Sequence, residues 1–394
     1  METRRTFLLA SAGTAALPAF AARRLLADDA PIDRPTRRPL KILFLGGTGF
    51  LGPHIVRFAR ARGHAFTLFN RGRRPDLFAD VETIIGNRIE GEGPGLTPLR
   101  EQVEAGRRWD VVIDTASVHQ WTERTATMLA KAADQYVYIS SLSAYAEASS
   151  CRTEGDPVAT MPDEIAAGID RIPYDMTHYG AVKARSEAAA EAAFPGRATV
   201  MRPGLIVGPR DRTHRFTYWP HRIRAGGEVL TPGNPTDPVM FIDVRDVADF
   251  VVLAMEERLH GIYNTNGPVG GGMTIGKLVE ACRVTTGSDA SFTWADADFL
   301  SERNIGGWVQ MPVWLPPKGE YKGFHCTSVE RARRAGLRTR PLDDTIRVTL
   351  AWLDGWLPEA KAERGYEYTP GENAPGITRE REQAVLAEWH GREG

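Results

Sequence analysis

Tyr179 and Lys183, in "THYGAVKARSEAAAEAAF", place a phenol and an amine four residues apart in a run of strong helix formers. Residues i and i+4 share one face of a helix, so the ammonium lies near the phenol. A free tyrosine titrates near ~10, so service as a base at neutral pH asks for roughly three units, or about 4 kcal/mol. A cation about 4 Å away at an effective dielectric of ~20 supplies about that much. Upstream, "YVYISSLSAY" closes an apolar run with Ser140, Ser141 and Ser143. A serine there can hold a reacting oxygen while Tyr179 takes or gives its proton. The plainer alternative is a turn serine and a surface Tyr–Lys pair.

A second constellation is "GGTGFLG", with Gly46, Gly49 and Gly52 three apart and Thr48, Phe50 and Leu51 between them. Glycines suit a turn where backbone must approach a pyrophosphate at a helix N-terminus. Selectivity for the unphosphorylated cofactor usually comes from an acid ending the next strand. Here "LFNRGRR" offers Asn70 and Arg71, with Arg73 and Arg74 close by. Arginine can grip a 2′-phosphate in bidentate fashion, so the expectation leans to NADP. NAD is the alternative, with Asn70 at the ribose and Arg71 a solvated turn residue.

The elements that must carry these residues are short apolar runs alternating with helix-compatible segments. "KILFL", "AFTLF", "VETIIG", "WDVVID", "QYVYIS" and "ATVMRP" read as strands buried on both faces of a parallel sheet. The reading is a doubly wound, Rossmann-type α/β domain over 40–205, with a smaller, partly interleaved lobe from 206–237 and 266–394. Between the two lobe segments, 238–265 ("FIDVRDVADFVVLAMEE", then "GIYNTNG") is expected to return to the sheet as strand, helix and strand.

In this order, the glycine triad, the serine-ended strand and Tyr-x-x-x-Lys resemble the extended short-chain dehydrogenase/reductases, the NAD-dependent epimerase/dehydratases. "RPGLIVGP" and "FIDVRDVA" resemble that family's later landmarks. The resemblance implies Tyr179 as general acid/base, Lys183 as its pKa partner and ribose ligand, and Ser141 as the third member, with Ser143 second choice. It further implies cofactor contacts from Gly46, Thr48, Gly49, Phe50, Leu51, Gly52, Asn70, Arg71, Asn87 and Thr115. Asn87 stands where that family often has an Asp at the adenine. A homodimer through two sheet-flanking helices is a further expectation of the likeness. Substrate contacts are expected from His119, Tyr145, Arg210, Arg215, Phe216, Tyr218, Trp219, Trp308 and Trp314, because aromatic faces stack on sugars and arginines suit anions.

Bulk properties narrow the classes. With 49 basic and 50 acidic residues the formal charge is −1, which gives no sign of a nucleic-acid partner. No HExxH or CxxC pattern occurs, so no metal is expected. Cys151, Cys282 and Cys326 are too few and too scattered for a disulfide framework, and a single bridge stays open. Residues 1–21, "METRRTFLLASAGTAALPAFA", resemble a twin-arginine export signal ending in a small-x-small site, with 22–39 a polar tether. That signal implies passage through the Tat translocase, no stable membrane insertion, and an extracytoplasmic site of action. Free cofactor is scarce there, and Tat transport carries folded proteins. The expectation is therefore an epimerase/dehydratase-type enzyme with a tightly held cofactor and a sugar-like or other hydroxylated small-molecule substrate. The rivals are an NADP(H)-exchanging dehydrogenase or reductase, and a non-enzymatic binding or regulatory protein on the same fold.

Overall fold

The computed structural model describes residues 38–89 and 91–392. The export segment and all but the last two residues of the tether lie outside them.

The chain begins with β1 (Lys41–Leu45), α1 (Gly52–Ala61) and β2 (Ala65–Asn70). Ile42 through Leu45 are fully buried, and their side chains divide between two layers. Ile42 and Phe44 pack with Ile55, Val56, Phe58 and Ala59 of α1. Leu43 and Leu45 face the opposite cluster with Leu99, Ala126, Leu129 and Phe194. Alternation within a continuous apolar run is what a strand covered on both sides requires. Pro53 in the first turn of α1 suits the helix start, and Gly63 at φ 84° follows its end.

The chain continues through β3 (Glu82–Ile85), α2 (Thr97–Glu104), β4 (Trp109–Asp114), α3 (His119–Leu129) and β5 (Ala133–Ile139). Then come α4 (Tyr179–Ala193), β6 (Ala198–Pro203), β7 (Ile206–Val207), α5 (Tyr218–Arg224), β8 (Glu228–Pro232) and β9 (Ile242–Asp243). Among the later elements are α6 (Val244–Glu256), β10 (Gly261–Thr265), α7 (Ile275–Thr286), β11 (Ser291–Ala295), α8 (Leu342–Arg364) and α9 (Arg379–His390). Seven parallel strands run β10-β6-β5-β4-β1-β2-β3. The order reverses between β1 and β4, so a crevice opens at their carboxyl ends, where doubly wound sheets bind ligands. The α/β expectation holds.

One detail differs. Of the segment expected to return to the sheet, only β10 does so, beside β6 (Tyr263 opposite Met201). Strand β9 pairs instead with β7, Ile206 opposite Ile242. Asp243 ends β9 because its carboxylate accepts from the Arg245 amide at 2.8 Å and caps α6.

A second hydrophobic cluster joins Leu205, Val207, Phe216, Trp219 and Phe241 to Ile275, Leu278, Trp314, Val385 and Leu386. Within it β8 and β11 form a two-stranded parallel sheet. Cys151 and Cys326 form a disulfide with Cα atoms 4.6 Å apart, closing the bridge that the sequence left open. Cys282 is a free, buried thiol in the second cluster. Among the described residues no helix is long and apolar enough to cross a membrane, and no group of side chains could hold a metal ion.

Candidate active site

Tyr179 opens α4 and Ser141 follows the end of β5. The Ser141 hydroxyl accepts from the Ser143 amide at 3.1 Å and lies near enough to the Tyr179 phenol to favour its ionised form. Gly180 permits this approach: a Cβ there would lie 2.2 Å from the Ser143 carbonyl oxygen. Ser143 itself is exposed, and Ser140 donates to Glu187, so Ser141 is the serine that meets Tyr179. Burial pushes the Tyr179 phenol up from its ordinary value, while the Ser141 hydroxyl and the Arg215 charge pull it down.

Lys183 is placed differently from the simplest expectation. Its ammonium donates to the carbonyls of Ile139 at 2.7 Å and Ala116 at 2.8 Å, and sits 4.6 Å from the Tyr138 ring centroid. Burial lowers Lys183 to about 7, against the attraction of Asp114 and Glu187. The cation acting on the Tyr179 phenol is Arg215, one turn beyond "GPRDR".

Beside this group lies a cleft of about 650 Å³, lined among others by Gly46, Thr48, Gly49, Phe50, Asn70, Arg71, Asn87 and Thr115. Thr115 is next to Ala116, whose carbonyl receives Lys183, so the cleft adjoins the tyrosine side. Gly46 stands at φ 123°, and a Cβ at Gly49 would meet no atom of the chain. Gly52 cannot carry a side chain, because its Cβ would fall 2.6 Å from the Gly47 carbonyl. Leu51 is buried beneath the turn. A tight turn with open space above it and a ten-residue helix behind it is the cradle a dinucleotide pyrophosphate needs.

The adenosine end is cationic. The Asn70 carboxamide donates to Gly46 O at 3.3 Å and accepts from the Gly72 amide at 2.8 Å, which fixes the glycine turn. Asn87 accepts from the Ile89 amide at 3.1 Å and donates to Glu92. Arg71, Arg73, Arg74, Arg88 and Arg212 share the lining with them.

The substrate candidates separate. Arg215 lies 4.9 Å over the Trp308 ring and close enough to Tyr179 to act on it, so these two belong together. Tyr145 donates to Asn264 at 2.7 Å, with the guanidinium groups of Arg202 and Arg152 on its ring. Phe216, Tyr218 and Trp219 are fully buried in the second cluster. Trp219 donates to Pro312 O and Trp314 to Asp237. These aromatics are core, not cleft. His119 is buried at the start of α3, where burial and Arg185 lower it. Arg210 is buried near Arg57, Arg74 and Arg212.

Sequence reasoning passed over Asp114, the buried end of β4. Its carboxylate accepts from Arg88 at 2.5 Å, Tyr136 and the Ala116 amide at 2.8 Å, and Thr122 at 3.0 Å. It thereby fixes the 115–118 turn that receives Lys183. A lone Asp at the end of an apolar run was the available signal. Asp211, buried beside Arg215 and accepting from Thr213, was likewise unmarked.

The profile of the NAD dependent epimerase/dehydratase family matches residues 42–265. Among characterised sequences, the chain is 26% identical over 247 residues to the Bos taurus epimerase family protein SDR39U1, covering 58% of this chain and 75% of that one. It is also 26% identical over 255 residues to the Arabidopsis thaliana chloroplast stem-loop binding protein of 41 kDa b, covering 61% and 62%. Among solved structures it superimposes on the Bordetella bronchiseptica enzyme WbmG in complex with NAD, with TM-score 0.56, 18% identity and coverage of 82% and 96%. A UDP-glucose 4-epimerase gives TM-score 0.57, 16% identity and coverage of 83% and 100%. The strand order, the glycine turn and the matched span lead to one conclusion: the chain belongs to the NAD dependent epimerase/dehydratase family.

Proposed function

We propose that this protein is an NAD(P)-dependent epimerase/dehydratase-type oxidoreductase that acts on a sugar-like or other hydroxylated small molecule and keeps its cofactor bound. The observation that carries the reading is the glycine-turn cleft, with Tyr179 at the start of α4 close to Ser141 and Arg215 on the adjoining side. A nicotinamide cofactor bound in this cleft would supply hydride acceptance and return. Tyr179 holds or releases the proton of the substrate hydroxyl, and Ser141 donates to the same oxygen. Lys183, held by the carbonyls of Ala116 and Ile139, ties α4 to the ends of β4 and β5, and we assign it to the cofactor ribose on the family likeness. Arg215 and Trp308 offer a charged and a flat contact to the substrate.

At the adenosine end, Arg71, Arg73 and Arg74 with no carboxylate ending β2 favour a 2′-phosphate, so NADP is the preferred form. Arg71→Gln is expected to weaken NADP by about tenfold and leave NAD within about twofold. Equal effects on both would count against that preference.

The Cys151–Cys326 bridge suits an oxidising compartment and supports export through the Tat route. Thiol labelling of protein from the cell envelope should find Cys282 as the sole free cysteine after denaturation. Tyr179→Phe should lower kcat by at least about a thousandfold with cofactor affinity kept. Retained activity would remove Tyr179 from the chemistry. Should no activity be found for wild type while ligands still bind, the non-enzymatic reading takes its place. A homodimer through α3 and α4 is proposed on the family likeness alone.

A further inference from the structure

We propose that Asp114 is a positioning residue for the dinucleotide, because one carboxylate holds both the Arg88–Trp121 wall of the cleft and the carbonyl that seats Lys183. The inference rests on the functional reading above. Asp114 ends β4 opposite Leu45, the last residue of β1, so it stands where the strand order reverses, level with the start of the glycine turn. It is fully buried, and each carboxylate oxygen accepts twice. Oδ1 takes the Arg88 guanidinium at 2.5 Å and the Ala116 amide at 2.8 Å. Oδ2 takes the Tyr136 phenol at 2.8 Å and the Thr122 hydroxyl at 3.0 Å. A carboxylate filled by four donors from different directions keeps one orientation.

Two arms leave this carboxylate. The first reaches the cationic end of the cleft. Arg88 and Trp121 both line the cleft beside Asn87, with the guanidinium 5.5 Å from the indole centroid. The indole N–H donates to the Asp170 carbonyl at 2.8 Å, so the ring is held from behind. With one nitrogen on Asp114 and its flat face on Trp121, the Arg88 guanidinium becomes a fixed wall for the adenosine end. The second arm runs through the backbone. The Ala116 amide donates to Asp114, while the Ala116 carbonyl accepts from Lys183 at 2.8 Å and from Tyr138 at 2.9 Å. Thr115, between them, lines the cleft, and a Cβ on Gly46 would lie 3.2 Å from its hydroxyl. Lys183 is one helical turn beyond Tyr179 on α4, and the Asp114 charge favours its ammonium form against burial. The adenosine wall and the lysine of the tyrosine helix are thus set by the same group. Core packing alone asks for neither arm: an apolar side chain would end β4 as Leu45 ends β1, whereas a buried carboxylate is costly unless it is paired.

The test is calorimetric binding of ADP, NAD and NADP to the full chain freed of nucleotide, with melting curves, and with the fluorescence of saturating NADH and NADPH as a report on the nicotinamide end. ADP keeps the adenosine and the pyrophosphate and lacks the nicotinamide ribose. Asp114→Asn keeps the shape of the side chain and removes its charge. It is expected to weaken ADP by about threefold and both dinucleotides by about tenfold beyond that, with altered fluorescence of the bound reduced cofactor. Arg88→Gln cuts the first arm alone and should weaken all three by one common factor of about threefold. Equal losses for ADP and the dinucleotides in Asp114→Asn overturn the coupling. So does a lower melting point with wild-type affinities, which would make Asp114 merely structural. A loss in Arg88→Gln that spares ADP removes the first arm and overturns it too. If Asp114→Asn does not fold, Tyr136→Phe decides, since it takes one donor from the carboxylate. A dinucleotide loss about threefold beyond that of ADP then supports the coupling, and unchanged affinities overturn it. Wild type that binds none of the three ligands overturns the functional reading itself.

Discussion

Arginine is used in two opposite ways in this molecule. In the interior three buried guanidinium groups meet carboxylates: Arg62 on Glu256 through two bonds of 2.8 Å, Arg202 on Glu187 at 2.5 and 2.9 Å, and, in the second lobe, Arg222 on Glu382 at 2.7 Å. Arg210 has Arg74, Arg57 and Arg212 as charged neighbours instead. A buried pair satisfies its own charge and ties elements together. Of the second group only Arg210 is buried, while Arg57 and Arg74 are half-buried and Arg212 is exposed, so solvent screens much of its charge.

The sharpest way to break the comparison is to unpair a core arginine. Glu187→Ala leaves Arg202 buried without its carboxylate and also removes the acceptor of Ser140, so a loss of ~3–5 kcal/mol in urea unfolding is expected. A loss below about 1 kcal/mol would show that the pair is not structural. A smaller effect belongs to His214, which packs 5.0–5.9 Å from the rings of Tyr368, Trp356 and Trp352, and which burial lowers to about 4. Between that value and the ordinary ~6.5 the unfolded chain binds the extra proton, so stability falls as pH drops through this window. The expected loss is about 3 kcal/mol, and His214→Phe should flatten it. Smaller still is Arg210→Gln in the ligand-free protein, where relief of repulsion should offset the lost packing and leave stability within about 1 kcal/mol of wild type. At the foot of the scale, the exposed Arg333–Glu330 pair at 2.7 Å should be removable without measurable change.

These effects also mark how far the sequence could be read. Strands β1, β2, β4, β5 and β6 were legible because burial leaves continuous apolar runs, whereas "VETIIG" was expected to be buried on both faces and β3 is instead an edge strand with Glu82 and Ile85 exposed. "FIDV" misled in part: Asp243 starts a helix at once, so β9 has two residues and pairs with β7, while β10 takes the place beside β6. The glycine turn at the start of α1 and the place of Tyr179 at the start of α4 were legible because local spacing fixes them. The direction of the Lys183 ammonium was not, since it depends on the carbonyls of Ala116 and Ile139, distant in sequence. Tyr145, Tyr218 and Trp219 show the limit of residue type: an aromatic ring suits a sugar and a core equally well, and only packing decides. The Cys151–Cys326 pairing spans 175 residues, and no local pattern announces such a bridge.

The proposed function stands or falls with a nicotinamide cofactor held in the cleft at the glycine turn. Mass spectrometry of the nucleotide released when the purified protein is denatured tests this. NADP or NAD is expected at close to one per chain. Wild-type protein that releases no nucleotide would contradict a retained cofactor.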